Sequence, residues 1–237
     1  VFARGFLRSG YTVHPVTRDM EMQDVAETLP DPELVLIAVG EADLHEQLMK
    51  LPEPWKDRLV LLQNELLPRD WQRHNLEPTV ISVWFEKKKG MDSKVIIPSP
   101  VYGKHAQQVA DALASIDIAA RVLADEAELV HELVLKNVYI LTTNIAGIEV
   151  GGNVGQLWDE HRLLAESVAL EVIRLQEALT GQTLDHQGLI DGMVNAFDGD
   201  LEHMCMGRSA PVRLQRALML AEQNELSLSM LQRVAAL

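Results

Sequence analysis

Lys136 is a charged residue in an otherwise apolar stretch. It lies in ELVHELVLKNVYILTTNIAG, residues 128–147, which is too apolar for an ordinary exposed helix. On a helix, Lys136, Ile140 and Asn144 share one face, because they follow at i, i+4 and i+8. Burial lowers the pKa of a lysine toward the range useful for proton transfer, which makes Lys136 a candidate general acid. The alternative is a structural ion pair with Glu132, one turn earlier, and the residue types alone do not decide between the two.

A second candidate group is the turn Gly207-Arg208-Ser209. The planar fork of an arginine binds a carboxylate through two hydrogen bonds, and a serine can add a third, so Arg208 and Ser209 could orient a 2-oxo acid across a cleft from Lys136. The alternative is a capping turn, with Ser209 preceding a helix that begins at Ala210-Pro211.

Metal and thiol chemistry have weak support in the sequence. The eight histidines show no HExxH or clustered ligand spacing, so we expect no metal site. Cys205 stands among methionines, a setting more typical of core packing than of a nucleophile.

The first extended segment bears on the choice of cofactor. It covers Tyr11–Arg18 and ends in Thr17-Arg18-Asp19. At the end of the second strand of a dinucleotide fold, an acidic residue binds the ribose hydroxyl of NAD, whereas an arginine can hold the 2′-phosphate of NADP. Thr17 and Arg18 therefore favour NADP. Asp19 is the competing signal, and the two charges can also form a solvated surface pair.

Two later segments end in residues that could contact a cofactor. Val39 and Gly40 end one apolar run, and Asn64 ends the next, LVLLQN. Asn64 is equally suited to forming a turn. The lysine-rich segment Glu86–Gly90 could line a phosphate path, but its place between two strands favours a solvated hairpin turn.

The elements that position these residues differ between the two halves of the chain. The first half has short runs rich in Val, Ile and Leu, predicted as strands at Tyr11–Arg18, Glu33–Val39, Asp57–Asn64, Thr79–Lys88 and Ser93–Pro100. Helical stretches at Glu41–Leu51 and Lys104–Ile116 lie between them. This predicts an α/β fold, a Rossmann-like, doubly wound, mostly parallel sheet that binds ligands at the carboxyl ends of its strands.

The sequence pattern of the second half predicts helices only. Helical periodicity with glycine terminators covers Glu128–Gly147, Gln156–Gly181, Asp185–Phe197 and Ala210–Ser227. We therefore predict two domains: residues 1–125 as an NADP-binding Rossmann-like domain, and residues 126–237 as an all-helical domain for substrate binding and dimerisation.

The net charge of the chain limits the classes of molecule that it is expected to bind. The 237 residues include 21 Lys and Arg against 35 Asp and Glu, a net charge of −14 that would repel nucleic acid and anionic lipid. A single cysteine forms no internal disulfide, and the sequence shows neither a signal peptide nor a membrane span. We expect a cytoplasmic protein whose partners are a small carbonyl substrate and a second copy of the chain.

The order of an α/β half followed by a helical half that carries Lys136 and Asn144 resembles the ketopantoate reductase family. The resemblance is chiefly in LKNVYILTTNIAG and is weaker in LVLLQN. The resemblance implies that Lys136 protonates the carbonyl oxygen while NADPH delivers hydride, and that Asn144 helps to hold the substrate. It also implies that the first strand and the glycine loop, absent from this chain, precede Val1.

The chain departs from the family at four positions. Ile140 stands where the family has a second Asn, Gly40 where it has a second Lys, and Glu65 where it has a Gly. The catalytic Glu that should follow Ser209 has no clear counterpart. These departures favour a second hypothesis, a non-catalytic binding or oligomerisation protein on a dehydrogenase scaffold.

Overall fold

The computed structural model describes residues 1–87, 90 and 92–237. The chain divides into two compact units, Val1–Glu132 and Leu133–Leu237. The division falls inside one long helix rather than at its start, where the sequence predicted a boundary. The functions predicted for residues 1–125 and 126–237 stay predictions.

The first unit is built on a mostly parallel five-stranded sheet in the order β1-β2-β3-β6-β7. Its strands are β1 (Val35–Ile37), β2 (Leu59–Leu61), β3 (Thr79–Ile81), β6 (Ser99–Tyr102) and β7 (Ala120–Val122). Neighbours pair in parallel, except that β3 and β6 are antiparallel, with Val80 opposite Tyr102. Short strands β4 (Phe85–Glu86) and β5 (Lys94–Val95) form a separate antiparallel pair.

Helices flank this sheet. They are α1 (Phe2–Arg8), α2 (Met22–Thr28), α3 (Leu44–Met49), α4 (Pro68–Gln72) and α5 (Ala106–Ala114), with a 3₁₀ turn at Glu53–Arg58. Helix α1 packs closely on α5, since a Cβ on Gly5 would collide with the Ala112 carbonyl oxygen. Phe6, Val60 and Val101 are among the buried residues of the core between sheet and helices. The predicted Rossmann-like α/β class is confirmed.

Three strand predictions were wrong, and one of them, Ser93–Pro100, is divided between β5 and β6 in two different sheets. Tyr11–Arg18 forms no strand. Tyr11 and Val13 pack on the core, but the segment joins no β-ladder, and Pro15 has no N–H to donate to one. Thr79–Lys88 is not one strand, because the chain leaves the main sheet after Ile81 and pairs again as β4. The predicted turn over residues 86–90 is flanked by the β4–β5 pair, but Lys88 and Lys89 lie outside the described residues.

The second unit is helical, as predicted. After the long helix α6 (Glu126–Val150) come α7 (Val154–Glu160), α8 (Arg162–Thr180), α9 (His186–Asp198), α10 (Ala210–Gln223) and α11 (Ser229–Ala235). Asp185 caps α9 by accepting a 3.0 Å hydrogen bond from the Gly188 N–H. Residues 156–181 were predicted as one helix, but the chain breaks at His161 into α7 and α8.

Helix α6 is the one element within the described ranges that is long and apolar enough to cross a membrane by length and composition alone. Yet 83% of that apolar window is buried inside the fold. This burial is typical of the core helix of a folded domain.

A histidine pair links α3 to the segment after α4. His45 Nδ1 lies 3.2 Å from His74 Nε2 and the rings stack, while Asp70 Oδ1 lies 3.6 Å from His45 Nε2. A hydrogen bond between two ring nitrogens needs one N–H and one lone pair, so the contact requires at least one neutral ring. Burial, with a smaller effect from the Arg73 charge, lowers the pKa of both histidines.

We therefore predict acid-sensitive stability at this pair. Because both pKa values lie below 6.5 in the folded state, the unfolded chain binds more protons just below that pH. The free energy of unfolding should fall as the pH drops from about 6.5. His74→Gln should remove much of this slope in urea unfolding, whereas His14→Gln, at an exposed histidine, should leave it. An unchanged slope in His74→Gln would contradict the prediction.

Candidate functional site

Helix α6 carries polar side chains in its buried interior. Lys136 and Asn144 are each only 8% exposed, and Thr143 is 1% exposed. The Thr143 hydroxyl donates to the Tyr139 carbonyl at 2.9 Å, inside the helix itself. Asn137 donates to the Gln176 side chain on α8, also at 2.9 Å. The helix thus forms from an apolar sequence while presenting a few polar groups to its neighbours.

Lys136 is held where its charge is costly. Burial lowers its pKa to about 7, and the positive charge of Arg213 on α10 adds to the effect. The Tyr139 ring lies 5.6 Å from the ammonium and offers a cation–π contact. A lysine with a pKa near neutrality exchanges a proton readily at physiological pH, the property required of a general acid.

The alternative partner of Lys136, Glu132, is engaged elsewhere. Its carboxylate forms an ion pair with Arg121 of β7, on the other side of the unit division from Lys136. Burial raises the pKa of Glu132, and the Arg121 charge opposes that shift. The Glu132 carboxylate therefore has a partner other than Lys136.

Asn144 connects α6 to two other segments. Its Nδ2 donates to the Cys205 carbonyl at 3.1 Å, and its Oδ1 accepts from Arg213 Nη1 at 2.9 Å. The chain before α10 lies close to α6 here, because a Cβ on Gly147 would stand 2.9 Å from the Cys205 Cβ. Lys136, Asn144 and Arg213 together are called the Lys136 group below.

Arg213 is the member of this group that sequence reasoning missed. It lies in the first turn of α10, where its backbone N–H donates to the Ser209 carbonyl at 2.9 Å. The available signal was a second arginine one turn after the Gly207-Arg208-Ser209 segment. Its contact with Asn144 spans a large sequence separation, which local patterns do not reveal.

The two candidates ahead of α10 lie on the surface. Arg208 and Ser209 are both exposed. Ser209 occupies the position before the helix, and its side chain makes no capping hydrogen bond. Pro211 lies in the first turn of α10, as the sequence predicted. Cys205 is fully buried, and burial raises the pKa of its thiol to about 11, which opposes thiolate formation.

The carboxyl ends of β1 and β2 bring a second set of candidates together in the first unit. Val39 and Gly40 follow β1, Asn64 follows the adjacent β2, and Asn64 Nδ2 donates to Glu41 at 3.1 Å. The sequence analysis did not identify Gln63 as part of this group. Its buried amide donates to the Ile37 carbonyl at 2.7 Å and so connects the ends of β1 and β2. Val39, Gly40, Glu41 and Asn64 are called the strand-end group below.

The strand-end group leaves backbone open to a ligand. Gly40 is exposed, and a Cβ there would meet only an Asp43 oxygen at 3.9 Å, so a ligand can approach its backbone closely. The Glu41 carboxylate suits a ribose hydroxyl. Thr17 and Arg18 do not follow a strand: they lie in an exposed turn that closes with a Thr17 carbonyl to Met20 N–H bond of 3.0 Å.

Comparison with known proteins gives information on the fold. The sequence matches no protein-family model, and no curated protein sequence matches it. Solved structures match over most of the chain. A dimeric ketopantoate reductase from Staphylococcus aureus superposes with a TM-score of 0.60 at 15% identity, covering 86% of this chain and 75% of that one.

Two further structures give the same result. The 2-dehydropantoate 2-reductase from Methylococcus capsulatus has a TM-score of 0.61 at 12% identity, covering 87% of this chain and 73% of that one. D-mandelate dehydrogenase with NADH and anilino(oxo)acetate has a TM-score of 0.62 at 12% identity, covering 87% and 75%. The chain is an α/β protein with a helical second unit. Its fold is that of the ketopantoate reductases.

Burial of Lys136 predicts a pH-dependent stability. Its pKa falls from 10.5 to about 7 on folding, so between these values the unfolded chain binds one more proton than the folded chain. The free energy of unfolding should therefore rise as the pH increases from about 7 towards 10. Lys136→Met should lack this rise and be more stable than the wild type at neutral pH. Urea unfolding across this range measures both effects, and a parallel slope in Lys136→Met would contradict the assignment.

Proposed function

We propose that the protein is a nicotinamide-dependent oxidoreductase that reduces a small 2-oxo acid, or a related carbonyl compound, to the hydroxy compound. The observation that carries this proposal is the buried Lys136 with its pKa near 7, next to a second cation. The likeness in fold to ketopantoate reductases and to D-mandelate dehydrogenase supports it.

In the proposed reaction, residues of the first unit bind the cofactor, and a residue of the second unit donates the proton. The strand-end group would hold the cofactor, with Gly40 giving close backbone approach and Asn64 and Glu41 offering polar contacts. When bound, a reduced nicotinamide supplies the hydride. Lys136 donates a proton to the substrate carbonyl oxygen as negative charge develops there, so hydride and proton together convert C=O to CH–OH.

The substrate's acid group has candidate ligands in the second unit. Following the resemblance, Asn144 would contact the substrate, and Arg208 and Ser209 would contact its carboxylate from the exposed turn. We also propose that the protein works as a homodimer, by analogy with the dimeric Staphylococcus aureus enzyme.

Replacing Lys136 tests the reaction. With NADPH or NADH and a panel of 2-oxo acids, Lys136→Ala should lower kcat by about 10²- to 10⁴-fold, the usual effect of removing a general acid. Cofactor affinity should stay nearly unchanged. In the wild type, kcat/KM, which reports the pKa of the free enzyme, should fall as the pH rises above about 7, where Lys136 loses its proton. Lys50→Ala, at an exposed lysine paired with Glu46, is the control.

The results separate two hypotheses. A wild-type protein that reduces none of the 2-oxo acids would favour the non-catalytic scaffold, consistent with Ile140 standing in place of a polar residue. If Lys136→Ala fails to fold, Lys136→Met, which keeps most of the side-chain volume, takes its place. Reduction at the wild-type rate by a folded Lys136→Met would refute the role of Lys136.

We further propose that NADPH is preferred over NADH through Arg18. A charge-assisted hydrogen bond to the 2′-phosphate is worth about 1.5–3 kcal/mol, or roughly 10- to 100-fold in affinity. Arg18→Ala should reduce NADPH binding by that factor in calorimetric titration and leave NADH binding unchanged. Arg8→Ala, at another exposed arginine, is the control. Equal affinities for both cofactors in the wild type would overturn the role of Arg18.

A further inference from the structure

Two histidine side chains meet in the first unit although they lie 29 positions apart in the chain. His45 lies in the first turn of α3, and His74 lies two residues beyond the end of α4. His45 Nδ1 is 3.2 Å from His74 Nε2, and both side chains are partly exposed to solvent. Imidazole nitrogen is a common ligand of zinc and copper, so a pair that solvent can reach is a candidate metal site. Spacing motifs such as HExxH do not reveal a pair of this kind.

The distance between the two nitrogens suits coordination to one ion. Zinc binds imidazole nitrogen at about 2.0–2.1 Å with tetrahedral geometry, which places two such nitrogens about 3.3–3.4 Å apart. The observed separation of 3.2 Å is close to that value. In a linear hydrogen bond both nitrogens point along the line that joins them. To point at a common ion, each ring must turn by about 35°, half the difference between 180° and the tetrahedral angle. The χ2 torsion of histidine has broad minima, so the rings can turn at little cost.

Asp70 favours the tautomer of His45 that coordination needs. Its Oδ1 lies 3.6 Å from His45 Nε2, so the negative charge favours an N–H on that nitrogen and leaves the lone pair on Nδ1. Its Oδ2 accepts from the Leu67 N–H at 2.8 Å, which fixes the carboxylate at the start of α4. A carboxylate behind a ligating histidine is the usual outer-shell arrangement of metal sites.

Both rings can offer lone pairs at neutral pH. Burial, followed by the positive charge of Arg73, lowers the pKa of each histidine below 6.5. Asp70 opposes this shift for both rings, and Arg69 adds to it for His45. Neutral imidazole is the form that binds a metal, because a proton competes for the same lone pair.

We propose that His45 Nδ1 and His74 Nε2 bind one divalent transition-metal ion of the zinc class, with Asp70 as a positioning residue and water completing the coordination. Binding replaces the hydrogen bond between the rings. The proton on His74 Nε2 moves to Nδ1 through solvent, so no proton is lost when both rings are neutral. The ion connects α3 to the segment after α4, the helices that begin shortly after Gly40 and Asn64, and stabilises the folded first unit. The site does not depend on the proposed reductase function.

Zinc titration tests the site. Calorimetry of the untagged protein with zinc chloride at about pH 7.5, where neutral imidazole predominates, should show an ion whose binding depends on both histidines. His45→Gln and His74→Gln should each weaken that binding by at least about 100-fold, since loss of an outer-shell partner alone costs about 10- to 100-fold. His14→Gln, at an exposed histidine, is the matched control and should bind zinc as the wild type does. Magnesium, which prefers oxygen ligands, should not compete.

Two further measurements identify the ligands and the role of the carboxylate. Electron paramagnetic resonance of the Cu²⁺-loaded protein should show coupling to two imidazole nitrogens, and coupling to fewer would contradict the pair. Asp70→Asn keeps one oxygen for the Leu67 N–H but removes the charge that faces His45. It should weaken zinc binding by about 10-fold, and an unchanged affinity would overturn its positioning role.

Thermal unfolding checks both folding and stabilisation. The unfolding temperature of the wild type and of His14→Gln should rise with added zinc, because the ion binds the folded state, whereas that of His74→Gln should not. If one histidine variant fails to fold, the other decides the test. Zinc binding of equal strength in the wild type and in a folded His45→Gln or His74→Gln would refute the site, and so would a wild type that binds no zinc.

Discussion

The second unit depends on the cost of keeping polar side chains inside a buried helix. Helix α6 is the core element of this part of the chain, and a buried polar group without a partner costs about 1–3 kcal/mol. Its polar residues therefore determine what packs against it. Asn137 requires the amide of Gln176 on α8, and Asn144 requires both the Cys205 carbonyl and Arg213 on α10. Asn137 and Asn144 thus connect α6 to α8, to the segment before α10 and to α10 itself.

Lys136 is a buried cation on the same helix, and burial lowers its pKa to about 7. An ammonium in a low-dielectric interior gives up hydration that hydrogen bonds only partly replace, so its neutral form is favoured. A protein can keep such a residue only if the rest of the domain offsets the cost. A methionine would fill the same space without the cost of burying a charge, so the choice of lysine here marks the position as a candidate functional site.

Sequence periodicity was sufficient for those features that depend on neighbouring residues. The helices of the second unit and the cap at Asp185 are local, and their patterns extend over several turns. The α/β class followed from continuous apolar strands such as Asp57–Asn64, which contains β2. Tyr11–Arg18 shows the limit: its β-propensity is real, but a strand also needs a pairing partner, and that requirement is not written in the segment itself. The break at His161 is equally a matter of tertiary packing.

The residues of the candidate site likewise include one that the sequence pattern predicted and one that it did not. Lys136 was evident because a lone charge within an apolar helical pattern is anomalous at the level of sequence. Arg213 was not, because an arginine on an amphipathic helix is common and only its contact with Asn144 distinguishes it. If an anionic 2-oxo acid binds beside Lys136 as proposed, substrate binding and protonation of Lys136 become thermodynamically linked. A bound anion then favours protonated Lys136, so substrate binding itself charges the group that must donate the proton.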